Sequence, residues 1–464
     1  MSALSRGAGE PRRPFSGDLR AYAVVLPLGA LLAVAMTYVL YRFPPAPLVV
    51  LAGTLGLSAI VALAIAHYEA AAALGFLLLG VVRVEPAPPD AILAVVMAVG
   101  VVTGRVHLNR VPLIALGLLA VFIALNLIST VEAIDPAAAA RFILITVYLA
   151  AFGVWLTSFV SSTRRARTLV RAYLAGALLF AIVSSLALFL PVPLRNELLA
   201  YDGTRAAGLF EDPNVYGPFL IPAALIVVEE LLSPRLLKAR SPTKVLMFSI
   251  LSLGVVLSYS RAAWISLAAS VLVLLVVVAQ RRGGGRRATT ALAVVVATTV
   301  AAGGVLAITG SLGFLQERAH LQSYDSQRFG AQREGLALAA QYPFGVGPGQ
   351  FDILAPVSTH STYVRALSEQ GLLGFFAILT LLLATLVLAG RNAVLGRDTY
   401  GIGSATLFAA WFGLLINSFV VDTLHWRHLF LVAGLVWAGS RRPLEEGDYA
   451  RASGSRTAVR GLVR

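Results

Sequence analysis

Apolar runs of bilayer-crossing length, or slightly less, follow one another almost the whole way along the chain. They fall near 21–41, 46–66, 70–83, 90–104, 111–129, 141–160, 172–190, 214–232, 245–259, 262–279, 288–309, 370–390, 400–421 and 427–439, fourteen in all. A crossing helix needs about 20 apolar residues, so 70–83, 90–104, 245–259 and 427–439 are short, and about twelve crossings are also compatible with the pattern. A soluble domain cannot hide this much surface: 58% of the 464 residues are hydrophobic, 13% are charged, and the mean hydropathy is +0.82. The expected fold class is all-α, a polytopic membrane helix bundle of about 12–14 transmembrane helices with a partly helical extracytoplasmic loop.

The basic residues indicate how these runs thread. Alternation puts the tails 1–20 and 441–464 on one side, with the loops around 67–70, 104–110, 161–171, 233–244, 280–287 and 391–398. That side collects 26 of the 37 Lys/Arg and 9 of the 23 acidic residues, leaving 11 basic and 14 acidic residues opposite. An excess of Lys/Arg marks the cytoplasmic side, so both termini are expected there. The net charge of +14 is then a topology signal, and no nucleic-acid partner is expected. Arg6, Arg12, Arg13 and Arg20 before an apolar run resemble the start of a signal peptide. No small-residue cleavage site precedes the next run, so this segment is expected to be retained. The absence of cysteine excludes disulfides and thiolate chemistry.

This threading divides the chain into a cytoplasmic tail (1–20), N-terminal membrane helices (21–190), an outward loop (191–213) and central membrane helices (214–310). A large outward loop (311–369), C-terminal membrane helices (370–440) and a second cytoplasmic tail (441–464) follow. The 59 residues of 311–369 form a polar interruption, and long connections without regular structure are uncommon unless they carry function. Outside the cytoplasm there is no ATP or nucleotide-sugar. An enzyme there must use an activated substrate already carried by the lipid.

Three outward segments hold the candidate residues. In 191–213, Gly203-Thr204-Arg205 leads to Glu211-Asp212-Pro213-Asn214, where Asp212 reads as an N-cap and Pro213 as the first helical residue. Pro218 and Pro222 disturb the turns that follow, as fits a helix end facing a polar cavity. Arg205 is either a surface arginine or part of a site. Arg261 lies in Ser258-Tyr259-Ser260-Arg261, the polar break within 243–280. Those 38 residues barely suffice for two crossings, so the break is a tight outward turn. Arg261 there either lines a cavity or anchors at the interface beside Trp264.

In 311–369, residues 326–341 read as a short helix ended by Pro343. Arg328 and Gln332 share one of its faces, with Asp325 or Glu334 as alternative partners for Arg328. The run Tyr342-Pro343-Phe344-Gly345-Val346-Gly347-Pro348-Gly349 makes a tight turn but lacks the Gly-Lys-Ser/Thr ending of a phosphate loop. Thr359 reads as an N-cap that puts His360 in the first turn of the next helix, with Tyr363, Val364 and Leu367 on its face. The positive helix end favours a neutral ring able to accept a proton. His67, His107, His320, His425 and His428 lie in short turns or at the loop start. The acids Asp325, Glu334, Asp352 and Glu369 look scattered, with no metal-ligand spacing, so neither metal nor cofactor is expected. Guanidinium groups suit phosphate. A pyrophosphate leaving group held by arginines, with one histidine taking a proton from an attacking hydroxyl, is a coherent transfer site.

At these residues the chain resembles the O-antigen ligase/O-antigen polymerase superfamily of bacterial envelope glycosyltransferases. The resemblance lies in Thr204-Arg205, Gly208, Phe210 and Pro213-Asn214, and in Ser258-Tyr259-Ser260-Arg261. It continues from Ser326 and Arg328 through Pro343, Gly345, Gly347 and Gly349 to His360. It implies metal-independent transfer of a glycan from undecaprenyl pyrophosphate to the hydroxyl of a glycan or lipid-anchored sugar acceptor. That reaction would occur on the outer (periplasmic) side of the bacterial cytoplasmic membrane. It also implies that Arg205 and Arg261 handle the pyrophosphate, that Arg328 is a recurrent loop arginine of the same substrate-binding group, and that His360 is the catalytic base. Many members have asparagine after the histidine and an aromatic residue after the loop arginine; here Ser361 and Gly335 occupy those places, which bear on acceptor placement.

The resulting expectation is an inverting lipid-linked-glycan transferase, ligase or polymerase. A polysaccharide flippase or other transporter would instead show polar residues deep within helices and inverted repeats. A monosaccharide transferase using a polyprenyl-phosphate sugar would carry an acidic pair in its first outward loop, here Tyr41-Arg42-Phe43-Pro44-Pro45.

Overall fold

The computed structural model describes residues 47–83, 87–281, 283–320 and 323–440. The apolar run 21–41, the turn 41–45 and both tails lie outside the described residues. In chain order the helices are α1 (Pro47–Ala66), α2 (Tyr68–Leu77), α3 (Pro88–Val102), α4 (Leu113–Ser129), α5 (Pro136–Phe159), α6 (Thr163–Phe189) and the short α7 (Arg195–Leu198). They continue with α8 (Pro213–Leu232), α9 (Ser241–Leu257), α10 (Arg261–Ala279), α11 (Gly284–Ile308), α12 (Leu312–Ala319), α13 (Ser323–Gln341) and α14 (Phe351–Leu354). The last four are α15 (Thr362–Glu369), α16 (Gly371–Leu395), α17 (Ser404–Asn417) and α18 (Arg427–Ser440). Helices α7 and α12 to α15 belong to the two long loops, and the others coincide with the apolar runs. β1 (Leu199–Ala200) and β2 (Arg205–Ala206) form a small antiparallel pair in which Ala200 faces Arg205.

The architecture is therefore an all-α polytopic bundle. Among the described residues, 7 helices are long and apolar enough to cross a bilayer. Others are shorter: the 17 residues of α9 rise about 25 Å against a hydrocarbon core of about 30 Å. The run 70–83 is helical only as far as Leu77. Its end instead docks on the 191–213 loop, Val82 N–H donating to the Leu209 carbonyl at 3.1 Å and Arg83 to that of Glu197 at 2.8 Å.

Helix α8 is the central element: 78% of its apolar window is buried, against 22% for the peripheral α11. It packs on α9, α10 and α17. Helices α10 and α17 approach so closely that a Cβ on Gly413 would stand 2.0 Å from Ser270 Oγ. Ser266 Oγ donates to the Gly413 carbonyl at 2.9 Å, the small-residue packing with a polar clasp common between membrane helices.

Contacts between connections join loops that the alternation assigns to the same side. At one end, Glu69 pairs with Arg164 and Arg165 at 3.0 and 3.2 Å, Arg235 pairs with Asp398, and Arg281 donates to the Ala393 carbonyl at 3.1 Å. At the other, Arg427 pairs with Asp90, the Gln350 amide brackets the Asp135 backbone at 2.8 and 2.9 Å, and Arg365 pairs with Asp422 at 2.8 Å.

Candidate active site

A cavity of about 230 Å³ opens where the first turns of α8 and α10 meet the 311–369 segment. Its polar lining is Asn214, Arg261, Arg318, Asp325, Arg328, Gln332 and His360. Ala262, Ile265, Phe329, Val420 and Val421 complete the lining with apolar surface. Three of the four residues singled out in the sequence (Arg261, Arg328 and His360) therefore share one space.

Arg205 stands one residue behind it. Its Nε donates to the Ser258 carbonyl at 2.8 Å, its Nη2 to Asn214 Oδ1 at 3.3 Å, and its guanidinium lies 4.9 Å from the Tyr201 ring centre. At 5% exposure it is no surface arginine. Asp212 caps α8 as expected, accepting from the Asn214 N–H at 2.8 Å, and also takes the Asn214 side-chain amide at 2.9 Å. Asn214, which does reach the cavity, is thus oriented from both ends of its amide.

The turn between α9 and α10 is as tight as the sequence requires. Tyr259 adopts φ +48° and Ser260 caps α10, accepting from Ala263 N–H at 3.4 Å. Arg261, the first residue of α10, does more than anchor at an interface. Its Nη2 lies 2.5 and 2.7 Å from the two carboxylate oxygens of Asp325, and its Nη1 donates to the His320 carbonyl at 2.9 Å. Both partners belong to the 311–369 segment, so this arginine ties the loop to the membrane body. Asp325, Arg328, Phe329 and Gln332 recur at helical spacing along α13 and present one face to the cavity. Further along the same side of that helix, a Cβ on Gly335 would stand 2.6 Å from Val364, so α13 packs on α15 where an aromatic side chain has no room.

His360 differs from its expected setting. Ser361, not Thr359, caps α15, accepting from Val364 N–H at 3.5 Å, and His360 lies before the cap with φ +45°. It therefore does not share a helical face with Tyr363, Val364 and Leu367. Tertiary bonds fix this start: Thr362 N–H donates to the Ser418 carbonyl at 3.0 Å, and Thr362 Oγ1 accepts from Thr423 N–H at 2.7 Å. A left-handed conformation at a non-glycine residue costs of order 1 kcal/mol or more, and such strain clusters at functional sites. Burial holds the imidazole below its ordinary range, with Arg328 adding to the effect and Asp212 and Asp352 opposing it. Burial thus favours the neutral ring, the form that can accept a proton. Serine and asparagine are comparable N-caps, so Ser361 retains the capping role that asparagine would serve.

The glycine-rich run closes the loop onto the bundle. Gly345 and Gly371, both at positive φ, pass so close that a Cβ on Gly345 would meet the Glu369 carbonyl at 2.2 Å. Val346 and Gly347 N–H groups donate to the Ser368 and Glu369 carbonyls at 2.9 and 3.0 Å. The buried Glu369 carboxylate accepts from Gly349 and Phe351 N–H at 2.9 and 3.1 Å, and from Arg365 at 3.1 Å. Arg365 also pairs with Asp352 and Asp422, so Asp352 and Glu369 are not scattered but gathered on one arginine. The three carboxylates hold that guanidinium well above its ordinary range despite burial. Among the described residues, no group of three His, Asp or Glu is placed to hold a metal ion.

Arg318, Asn214 and the Arg365 hub were not singled out as site residues in the sequence. Arg318 lay in the same polar interruption, but nothing local separated it from Arg333. Arg365 carried one local signal, its spacing of four residues from Glu369.

Fold and cavity define a polytopic helical membrane protein with an arginine- and histidine-lined cavity at one end of its bundle. Residues 246–379 match the family model described as O-antigen ligase, which bears out the resemblance over the stretch carrying Arg261, Arg318, Arg328 and His360. Arg205 and Asn214 precede that stretch. No curated protein matches the chain.

Proposed function

We propose that the protein is an inverting, O-antigen ligase-type glycosyltransferase. It moves a glycan from undecaprenyl pyrophosphate to the hydroxyl of a glycan or lipid-anchored sugar on the outer side of the bacterial cytoplasmic membrane. The observation that carries this reading is the meeting of Arg261, Arg318, Arg328 and His360 around one cavity whose lining also includes apolar side chains. A volume of 230 Å³ falls below the roughly 300–1,000 Å³ of sites that enclose a whole small molecule. It suits the charged junction of a larger substrate. The lipid chain would follow the Ile265, Val420 and Val421 wall towards the bilayer, and the glycan would extend into solvent. The basic bias of the opposite loops supports an outward-facing cavity.

In this mechanism the acceptor oxygen attacks the anomeric carbon while its proton passes to the neutral imidazole of His360. The bond from that carbon to the pyrophosphate oxygen breaks, and the electron pair leaves on the phosphate. Cavity guanidiniums stabilise the charge that develops there. Arg205 acts through Asn214. Positioned proton transfer contributes about 10²–10⁴-fold, and each donor aimed at developing charge about 10²–10³-fold.

The test is purified protein in lipid, given pre-flipped, outward-facing lipid-linked repeat units. A ladder of products without added acceptor identifies a polymerase; transfer only on adding a lipid-anchored sugar identifies a ligase. No product under either condition overturns the reading in favour of a transporter or a transferase of another donor class. Normal transfer by His360→Ala would remove His360 as the base.

A further inference from the structure

We infer that Arg318 is a further phosphate-contacting residue and that Asp325 sets the charge of the cavity. The site then retains a diphosphate esterified at both ends and releases one esterified at a single end. This inference rests on the proposed transfer reaction, whose donor and product differ in that respect.

Three elements deliver the cationic groups: Arg261 from the start of α10, Arg318 from the last turn of α12, and Arg328 from α13. Arginines arriving from three separate helices converge on one space. All three remain charged at any physiological pH. Among the described residues that line the cavity, Asp325 is the one acid, and it lies against Arg261 at 2.5 and 2.7 Å. With His360 neutral, the formal balance of the lining side chains alone is three positive charges against one negative, while Asp212, Asp352 and Arg365 act on the imidazole from behind that lining. A diphosphate diester carries one negative charge on each phosphate, so donor and resting cavity compensate each other.

Transfer changes both sides together. Breaking the glycosidic bond leaves a third negative charge on the departing diphosphate. The proton lost by the acceptor hydroxyl converts His360 to imidazolium, adding one positive charge to the cavity. The match is kept through bond breaking. Once His360 gives its proton to solvent, the product carries one charge more than the cavity compensates, and that surplus favours its release. Removing the Asp325 charge would make the resting cavity a match for the product.

The experiment measures donor KM, kcat and product inhibition for the full chain in lipid nanodiscs. Added polyprenyl diphosphate is the inhibitor and polyprenyl monophosphate the control. Arg318→Gln should raise donor KM at least tenfold with a smaller change in kcat, and Arg318→Lys should recover part of it. Asp325→Asn should tighten inhibition by the diphosphate at least tenfold relative to the monophosphate, whereas Asp325→Glu, which keeps the charge, should retain the wild-type ratio of diphosphate to monophosphate inhibition. An unchanged KM in Arg318→Gln overturns the role of Arg318. Unchanged or weakened diphosphate inhibition in Asp325→Asn overturns the charge match. Wild-type protein that transfers no glycan from the lipid-linked donor would overturn the transfer reading itself. Transfer-competent wild-type protein with unaltered variants would overturn this inference alone.

Discussion

Ionic clusters sit at both ends of the bundle, and they differ in the room they leave. At the end away from the cavity, Arg235 pairs with Asp398, and Lys244 lies 3.7 Å from Glu230. The Glu230 carboxylate also accepts from the N–H groups of Arg235, Leu236 and Leu237. The space beside Glu229, Ser233, Arg281 and Arg287 is about 20 Å³, room for a single water. At the other end the arginines around His360 border about 230 Å³. The same side chains therefore serve two purposes. Where carboxylates and carbonyls converge on a cation, it fastens loops; where helices keep apart around it, it can meet a ligand; Arg261, held by Asp325 and the His320 carbonyl at the cavity edge, does both. Arg365 shows that the division does not follow sidedness alone. It belongs to the cavity end, yet its three carboxylates make it a fastener.

The comparison is most exposed at His360. His360→Ala should lower transfer by about 10²–10⁴-fold while leaving thermal melting in detergent unchanged, because the side chain borders a cavity and removal creates no new buried void. A large fall in melting temperature would place His360 among the fasteners. Next, Arg365→Gln strands the fully buried Glu369 beside Asp422, and loss of one partner of a buried pair costs about 3–5 kcal/mol. Melting should drop sharply, and whatever protein remains folded should bind donor normally if Arg365 only fastens. Arg235→Gln, at the opposite end, removes a partly exposed partner of Asp398 and should cost roughly 1–3 kcal/mol. The kcat of its folded fraction should match wild type; a changed kcat would mean the two ends are coupled.

The smallest expected effect is a displacement of the pH profile. The base must be neutral, and burial with Arg328 holds His360 below its ordinary range. Activity should therefore stay full at neutral pH and fall only as pH drops through that lowered value. Arg328→Gln removes a cation that disfavours imidazolium, so the acid limb of kcat should move to higher pH. Asp352→Asn removes an opposing carboxylate, so the limb should move lower. No movement in either variant would show that His360 is not the titrating base.

The helices were legible because hydropathy is a local property that a bilayer reads directly. Apolar runs become helices, Ser258-Tyr259-Ser260 must turn, and Asp212-Pro213 must begin a helix, whatever the rest of the chain does. The helix of the large loop was equally visible, and the face it shares between Arg328 and Gln332 was set by spacing alone. The start of α15 was not, since Thr359 and Ser361 are both acceptable caps. Contacts of Thr362 with Ser418 and Thr423, far along the chain, select between them and leave His360 in the left-handed region.

The fate of each arginine was decided in the same way. Nothing near Arg205 announces that Asn214 and the Ser258 carbonyl will take its guanidinium, nor does anything near Arg261 announce Asp325. Arg318 and Arg365 both read as loop arginines, Arg365 set apart only by Glu369 four residues on, yet one lines the cavity and the other gathers Asp352, Glu369 and Asp422. The sequence by itself determined which segments form apolar helices and which polar segments connect them, because burial of apolar surface depends on composition and period. Only the tertiary structure decided which charges face one another and which face open space, because charge pairing depends on distances between segments remote in the chain.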